Sequence, residues 1–101
     1  MKKIYFDMDG TVYDLYGMEN WLEMLRNEEK GAFTLGKPLV DMNRLKKVCM
    51  ELIGIGYQIG IITWLPMGAS LEYCEVCTEE KRNWAEKNMP YISEFYALEY
   101  G

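Results

Sequence analysis

The chain has 101 residues, 50% of them hydrophobic and 27% charged, a balance that suits one small folded domain and argues against disorder. Eleven Lys+Arg against sixteen Asp+Glu leave a net charge of −5, a poor match for nucleic acid or an anionic membrane surface. Histidine is absent, which excludes Ser-His-Asp and Cys-His nucleophile pairs and histidine-ligated metals, so acid–base chemistry must rest mainly on carboxylates, with Tyr, Lys or Cys as secondary agents.

In chain order, Lys3 to Met8 carries Ile4, Tyr5 and Phe6 on successive positions and reads as a strand buried on both faces. The apolar stretch behind Lys2-Lys3 is too short for a secretory signal, and no run approaches the roughly 18–20 residues of a membrane span, so a cytoplasmic location is expected. Glu19 to Glu29 places Trp21, Leu22 and Leu25 on one side of a short helix, and residues 30–40, with Gly31, Gly36 and Pro38, read as loop. Met42, Leu45, Val48, Cys49, Leu52 and Ile53 recur at helical spacing, with Asp41 as N-cap and Gly54 as stop. Tyr57 to Trp64 repeats the character of the first strand. Ala69 or Ser70 to Asn88 is helix-compatible, with Thr78 as a candidate break, and Phe95 to Leu98 forms a third, weaker strand.

Strand, insert, helix, strand, helix, strand is the α/β order of parallel strands joined by right-handed crossovers. Ligands in such sheets sit beyond the carboxyl ends of the strands. Chemistry is therefore expected at Asp7–Thr11, at Thr63–Trp64 and just past Tyr100.

Three cysteines, Cys49, Cys74 and Cys77, do not make a disulfide framework. Cys74-Glu75-Val76-Cys77 has the C-x-x-C spacing, but zinc would need to recruit Cys49 and a carboxylate. Acidic neighbours also raise a thiol pKa and so oppose a redox role. The simpler reading is one helical turn that brings two thiols near each other. The charged runs Glu28-Glu29-Lys30 and Glu79-Glu80-Lys81-Arg82 read as solvated helix faces.

The informative motif is Asp7-Met8-Asp9-Gly10-Thr11-Val12, which follows the first strand directly. Two carboxylates one residue apart at a strand tip can reach a single site, one as nucleophile or metal ligand and the other as general acid/base. Gly10 allows the backbone to turn there, and the Thr11 hydroxyl can hold the carboxylates in place. The EF-hand spacing is not met.

Ile4 to Val12 resembles the first motif of the haloacid-dehalogenase-like (HAD) superfamily of phosphohydrolases, and Ile59-Gly60-Ile61-Ile62-Thr63 is similar to its second. Within that superfamily the chain looks like the small-cap 5′-nucleotidase-like branch. The resemblance implies a Rossmann-like, doubly wound parallel sheet within a single domain over 1–101, incomplete at the C-terminus, with a small cap-like helical insert over 13–40. It implies Asp7 as the nucleophile that forms an aspartyl-phosphate and Asp9 as the acid/base. Mg2+ would be held by the Asp7 carboxylate and the Asp9 backbone carbonyl. Thr63 would bond a phosphoryl oxygen, with Gly10, Thr11 and Trp64 completing the phosphate and substrate surround. The implied activity is Mg2+-dependent hydrolysis of small phosphomonoesters, nucleotides among them.

The family's third motif, a lysine, and its fourth, an acidic pair, have no evident match before the chain ends. Lys81, Arg82 and Lys87 sit on charged helical turns that read as solvated, and Glu94 and Glu99 do not resemble the pair. The alternative reading is a catalytically deficient fragment or binding and assembly module. A sheet ending at this point leaves the first strand as an unpaired edge. Self-association, element exchange with a neighbour or origin in a longer chain is therefore expected.

Overall fold

The computed structural model describes residues 2–99; Tyr100 and Gly101, and with them the expected chemistry beyond Tyr100, lie outside the described residues. The elements run β1 (Lys2–Phe6), β2 (Tyr13–Asp14), α1 (Trp21–Arg26), β3 (Lys37–Pro38), α2 (Met42–Gly54), β4 (Tyr57–Trp64), α3 (Leu71–Asn88) and β5 (Glu94–Leu98). β1, β4 and β5 form a parallel sheet in that order, with Ile4 opposite Ile59, Ile61 opposite Phe95 and Thr63 opposite Ala97. The fold is α/β.

Each long helix begins where a side chain satisfies its free amides. Asp41 accepts from the N–H groups of Asn43 (3.0 Å) and Arg44 (3.2 Å) at the start of α2, and Ser70 Oγ accepts from Tyr73 (3.1 Å) at the start of α3. α3 runs unbroken through Thr78, whose hydroxyl donates to the Cys74 carbonyl at 2.8 Å within the helix. α1 is shorter than the expected Glu19–Glu29. Asn20 (φ 65) and Glu28 (φ 51) both take left-handed backbone, which turns the chain out of the helix on either side. The stretch expected as loop contributes β3, which pairs antiparallel with β2 (Tyr13 opposite Pro38, Asp14 opposite Lys37) and so gathers the two ends of the intervening segment.

The expectation that β1 is buried on both faces is corrected. Ile4 and Phe6 are half-buried, whereas Lys3 and Tyr5 are exposed, because among the described residues β1 is an edge of the sheet and one sheet face is covered. The covered face carries Ile61, with Phe6, Phe95 and Ala97 beside it. Onto it pack Met42 and Leu45 of α2 and Tyr73, Cys77, Trp84 and Ala85 of α3. The opposite face presents Tyr5, Ile62, Trp64, Tyr96 and Leu98, each between 39% and 51% exposed. Two successive crossovers that step in the same direction place both helices on one side. The second helical layer of a doubly wound sheet is therefore not found among the described residues. Gly60 lies on the open face, where a Cβ would stand 2.8 Å from the Tyr5 ring; its lack of a side chain lets Tyr5 lie across the sheet.

Candidate active site

β1 ends at Phe6, and the next three residues alternate. Met8 turns into the core at 0% exposure, which leaves Asp7 and Asp9 on the other side of the backbone. The Met8 carbonyl then accepts from the N–H groups of Val12 (3.0 Å) and Tyr13 (2.9 Å), while Gly10 N–H donates to the Tyr13 carbonyl (2.9 Å). This tight loop needs left-handed backbone at Gly10 (φ 76), and a Cβ there would meet the Tyr16 ring at 3.0 Å. The two carboxylates thereby share one cavity of about 420 Å³. Its floor is Asp7 and Asp9; one wall comes from the β4 end and the turn after it (Trp64 to Met67), and the other from Leu15, Tyr16, Trp21, Leu25 and Phe33.

Asp7 Oδ1 accepts from the Met8 N–H at 2.8 Å, which aims an exposed carboxylate outward from the strand tip. Asp9 is deeper. Its Oδ2 pairs with Lys81 Nζ at 2.9 Å, while its Oδ1 is buried without a hydrogen-bond partner. Burial raises the Asp9 pKa above the ordinary carboxylate range, and Lys81 pulls against that shift without cancelling it.

Lys81 is the residue that the sequence reading placed wrongly. It is fully buried, not solvated. Besides Asp9, its ammonium donates to Thr63 Oγ1 (2.9 Å) and to the Trp64 carbonyl (2.6 Å), and it lies 4.3 Å from the centre of the Phe33 ring. Three oxygen acceptors use all three ammonium protons, and this satisfaction makes the burial of a cation tolerable. The error has a visible source. Tyr73, Cys77, Lys81 and Ala85 recur every four residues and are all buried, so Lys81 stands on the apolar stripe of α3 while its neighbours Glu79 and Arg82 are exposed. A lone lysine on such a stripe was the available signal.

Of the other expected residues, Thr63 is 1% exposed and sits behind Lys81, outside the cavity lining. Gly10 and Thr11 are exposed at the loop and do not line the cavity; Thr11 contributes its backbone N–H to the Met8 carbonyl (3.3 Å). Trp64 is 51% exposed and lines it. Arg82 is exposed, with its guanidinium 5.4 Å from the Phe95 ring centre, and Lys87 is exposed.

The three thiols are free, and Cys49 and Cys77 are buried. Burial pushes the Cys77 thiol up to about 12, which opposes thiolate chemistry. Among the described residues no three Cys, Asp or Glu side chains converge as a metal-binding group, and no helix is long and apolar enough to cross a membrane. Asp7 and Asp9 alone are still a reasonable protein contribution to a magnesium site, because Mg2+ is commonly held by one or two carboxylates with water and substrate phosphate. The unpartnered Asp9 Oδ1 is the carboxylate oxygen available to carry a proton, since Oδ2 is held by Lys81. No family model, no curated protein and no solved structure matches the chain.

Proposed function

We propose that the chain is a HAD-like phosphohydrolase acting on small phosphomonoesters. The observation that carries this reading is the shared cavity of Asp7 and Asp9, with a fully buried Lys81 bonded to both Asp9 and Thr63. Asp7, exposed and aimed outward, attacks phosphorus to give an aspartyl-phosphate while the bond to the leaving oxygen breaks. Asp9 delivers a proton to that oxygen and then takes one from the water that hydrolyses the intermediate. A carboxyl whose pKa is raised by burial suits both duties. Mg2+ would be held by the Asp7 carboxylate and the Asp9 backbone carbonyl, and would supply the positive charge that lets an anionic carboxylate approach an anionic phosphate. Lys81 holds Asp9 and Thr63 in one arrangement and adds fixed positive charge at the site, the role for which the resemblance alone offered no residue.

The walls define the rest of the substrate. Tyr16, Trp21, Phe33 and Trp64 give an aromatic surround above the carboxylates, suited to a phosphomonoester with a flat ring, nucleotides included. The competing reading is a phosphate-binding module without turnover, and it draws on the convergence of only two carboxylates, Asp7 and Asp9, among the described residues. Phosphate release from an aryl phosphate, measured with and without Mg2+ on the parent and on Asp7→Asn, separates the two. Magnesium-dependent release that Asp7→Asn abolishes is expected. Release that survives Asp7→Asn removes the assigned nucleophile, and no release by the parent favours the binding module.

A further inference from the structure

Half of the cavity wall belongs to the segment between β2 and β3, so its shape depends on what fastens that segment to the sheet and its helices. The fastening is concentrated on α3. At the helix start, Glu28 accepts from the Ser70 N–H (2.8 Å) and hydroxyl (2.7 Å), and the Tyr73 hydroxyl donates to the Glu29 carbonyl (2.7 Å). Two turns further on, Glu80 accepts from the Gly31 N–H (2.9 Å) with one oxygen and from the Phe33 N–H (3.2 Å) with the other.

These ties are not equivalent. Glu28 and Ser70 meet in an exposed bond, where water competes and salt screens. Glu80 is half-buried, and the chain it holds is buried at Ala32 (0%) and Phe33 (1%). Amides in such a place have little water to turn to, and a carboxylate that accepts from both is a charge-assisted clamp. Glu80 also precedes Lys81, so one turn of α3 holds the loop with one side chain and the strand tips with the next. The Phe33 ring, placed by the clamped amide, closes over the Lys81 ammonium and lines the cavity.

We propose that Glu80 is a positioning residue: by gripping the Gly31 and Phe33 amides it sets Phe33 over Lys81 and holds the inserted segment as the second wall of the substrate cavity. The word substrate rests on the function proposed above, whereas the clamp does not. In Glu80→Gln the side chain keeps its size but offers one acceptor oxygen in place of two.

The test is amide hydrogen exchange of the full chain, read alongside the KM and kcat split for aryl phosphate hydrolysis. Glu80→Gln is expected to speed exchange in 31–36 by about tenfold or more with β4 unchanged, and to raise KM several-fold with a smaller change in kcat. Glu28→Gln, at the exposed tie, is expected to change 31–36 far less. Unchanged exchange in 31–36 overturns the clamp, as does equal acceleration in β4, which marks general loosening. Faster exchange in 31–36 with KM unchanged overturns its bearing on substrate. A parent chain without activity defeats the phosphohydrolase reading and leaves exchange to decide the clamp.

Discussion

Lys81 and Asp9 form a pair in which neither charge is tolerable without the other. Lys81→Met leaves the Asp9 carboxylate in a largely enclosed place without its cation, and breaking a buried pair of this kind costs about 3–5 kcal/mol. Urea unfolding is expected to show a loss toward the lower end, since Asp9 keeps some contact with the cavity. The double variant Asp9→Asn/Lys81→Met is expected to recover part of it. Strict additivity of the two single variants would contradict the coupling. The positions of Asp7, Asp9 and Thr63 at strand ends were legible in the sequence because each closes or follows a recognisable apolar strand, although Thr63 turns to Lys81 and not to the cavity. Lys81 was not legible, because its role depends on which face of an 18-residue helix meets the sheet, and charge density alone suggested solvent. The thiols belong to this scale as well. Cys49 and Cys77 are expected to resist alkylation until urea unfolds the chain, with Cys74 reacting first, and rapid labelling of Cys77 in the folded state would contradict its burial.

Among the elements, α3 joins the parts of the site. Its Ser70 cap, Tyr73, Glu80, Lys81 and Trp84 reach in turn the inserted segment, the strand tips and the Tyr13 ring, which Trp84 meets edge-on at 5.2 Å. The order of strands and the limits of α2 and α3 could be read from apolar spacing and caps. The two-residue ladder of β2 and β3 could not, because it is too short to leave a periodic signal and owes its register to the chain on either side.

Across the sheet, Glu94 of β5 bonds both Lys3 (2.8 Å) and the Tyr5 hydroxyl of β1, and these partners hold its pKa below the ordinary carboxylate value of 4.5. A carboxyl with a depressed folded-state pKa adds stability above its unfolded value, and that stability is lost as pH falls through the folded one. The difference in urea midpoint between the parent and Glu94→Gln is therefore expected to be largest above about pH 5 and to shrink toward pH 3. A difference that grows on acidification would contradict the cross-strand tie.

For the whole molecule, the uneven dressing of the sheet is the main feature. Helices cover one face, while Tyr5, Ile62, Trp64, Tyr96 and Leu98 stay exposed on the other, with β1 as an edge strand among the described residues. Single exposed apolar residues are unremarkable, but a row of them along an open sheet next to an unpaired edge is a surface that proteins usually cover. The ammonium groups of Lys2 and Lys3 reach over the sheet, Lys2 to the Tyr57 ring of β4 (5.6 Å) and Lys3 to Glu94 of β5 (2.8 Å), so they do not shield the β1 edge. Light scattering over a concentration series is expected to show self-association of the 101-residue chain; a monomer throughout, with Ile62 and Tyr96 open to solvent, would contradict it.

The chemistry itself is tested by trapping. The chain is mixed with an aryl phosphate carrying radiolabelled phosphate in the presence of Mg2+, quenched in acid and mapped by peptide. Label on the peptide that carries Asp7, absent in Asp7→Asn and accumulating in Asp9→Asn as hydrolysis of the intermediate slows, is the expected result. Phosphate release without label on that peptide, or label at another residue, would contradict the assignment of Asp7 and Asp9 as nucleophile and acid/base.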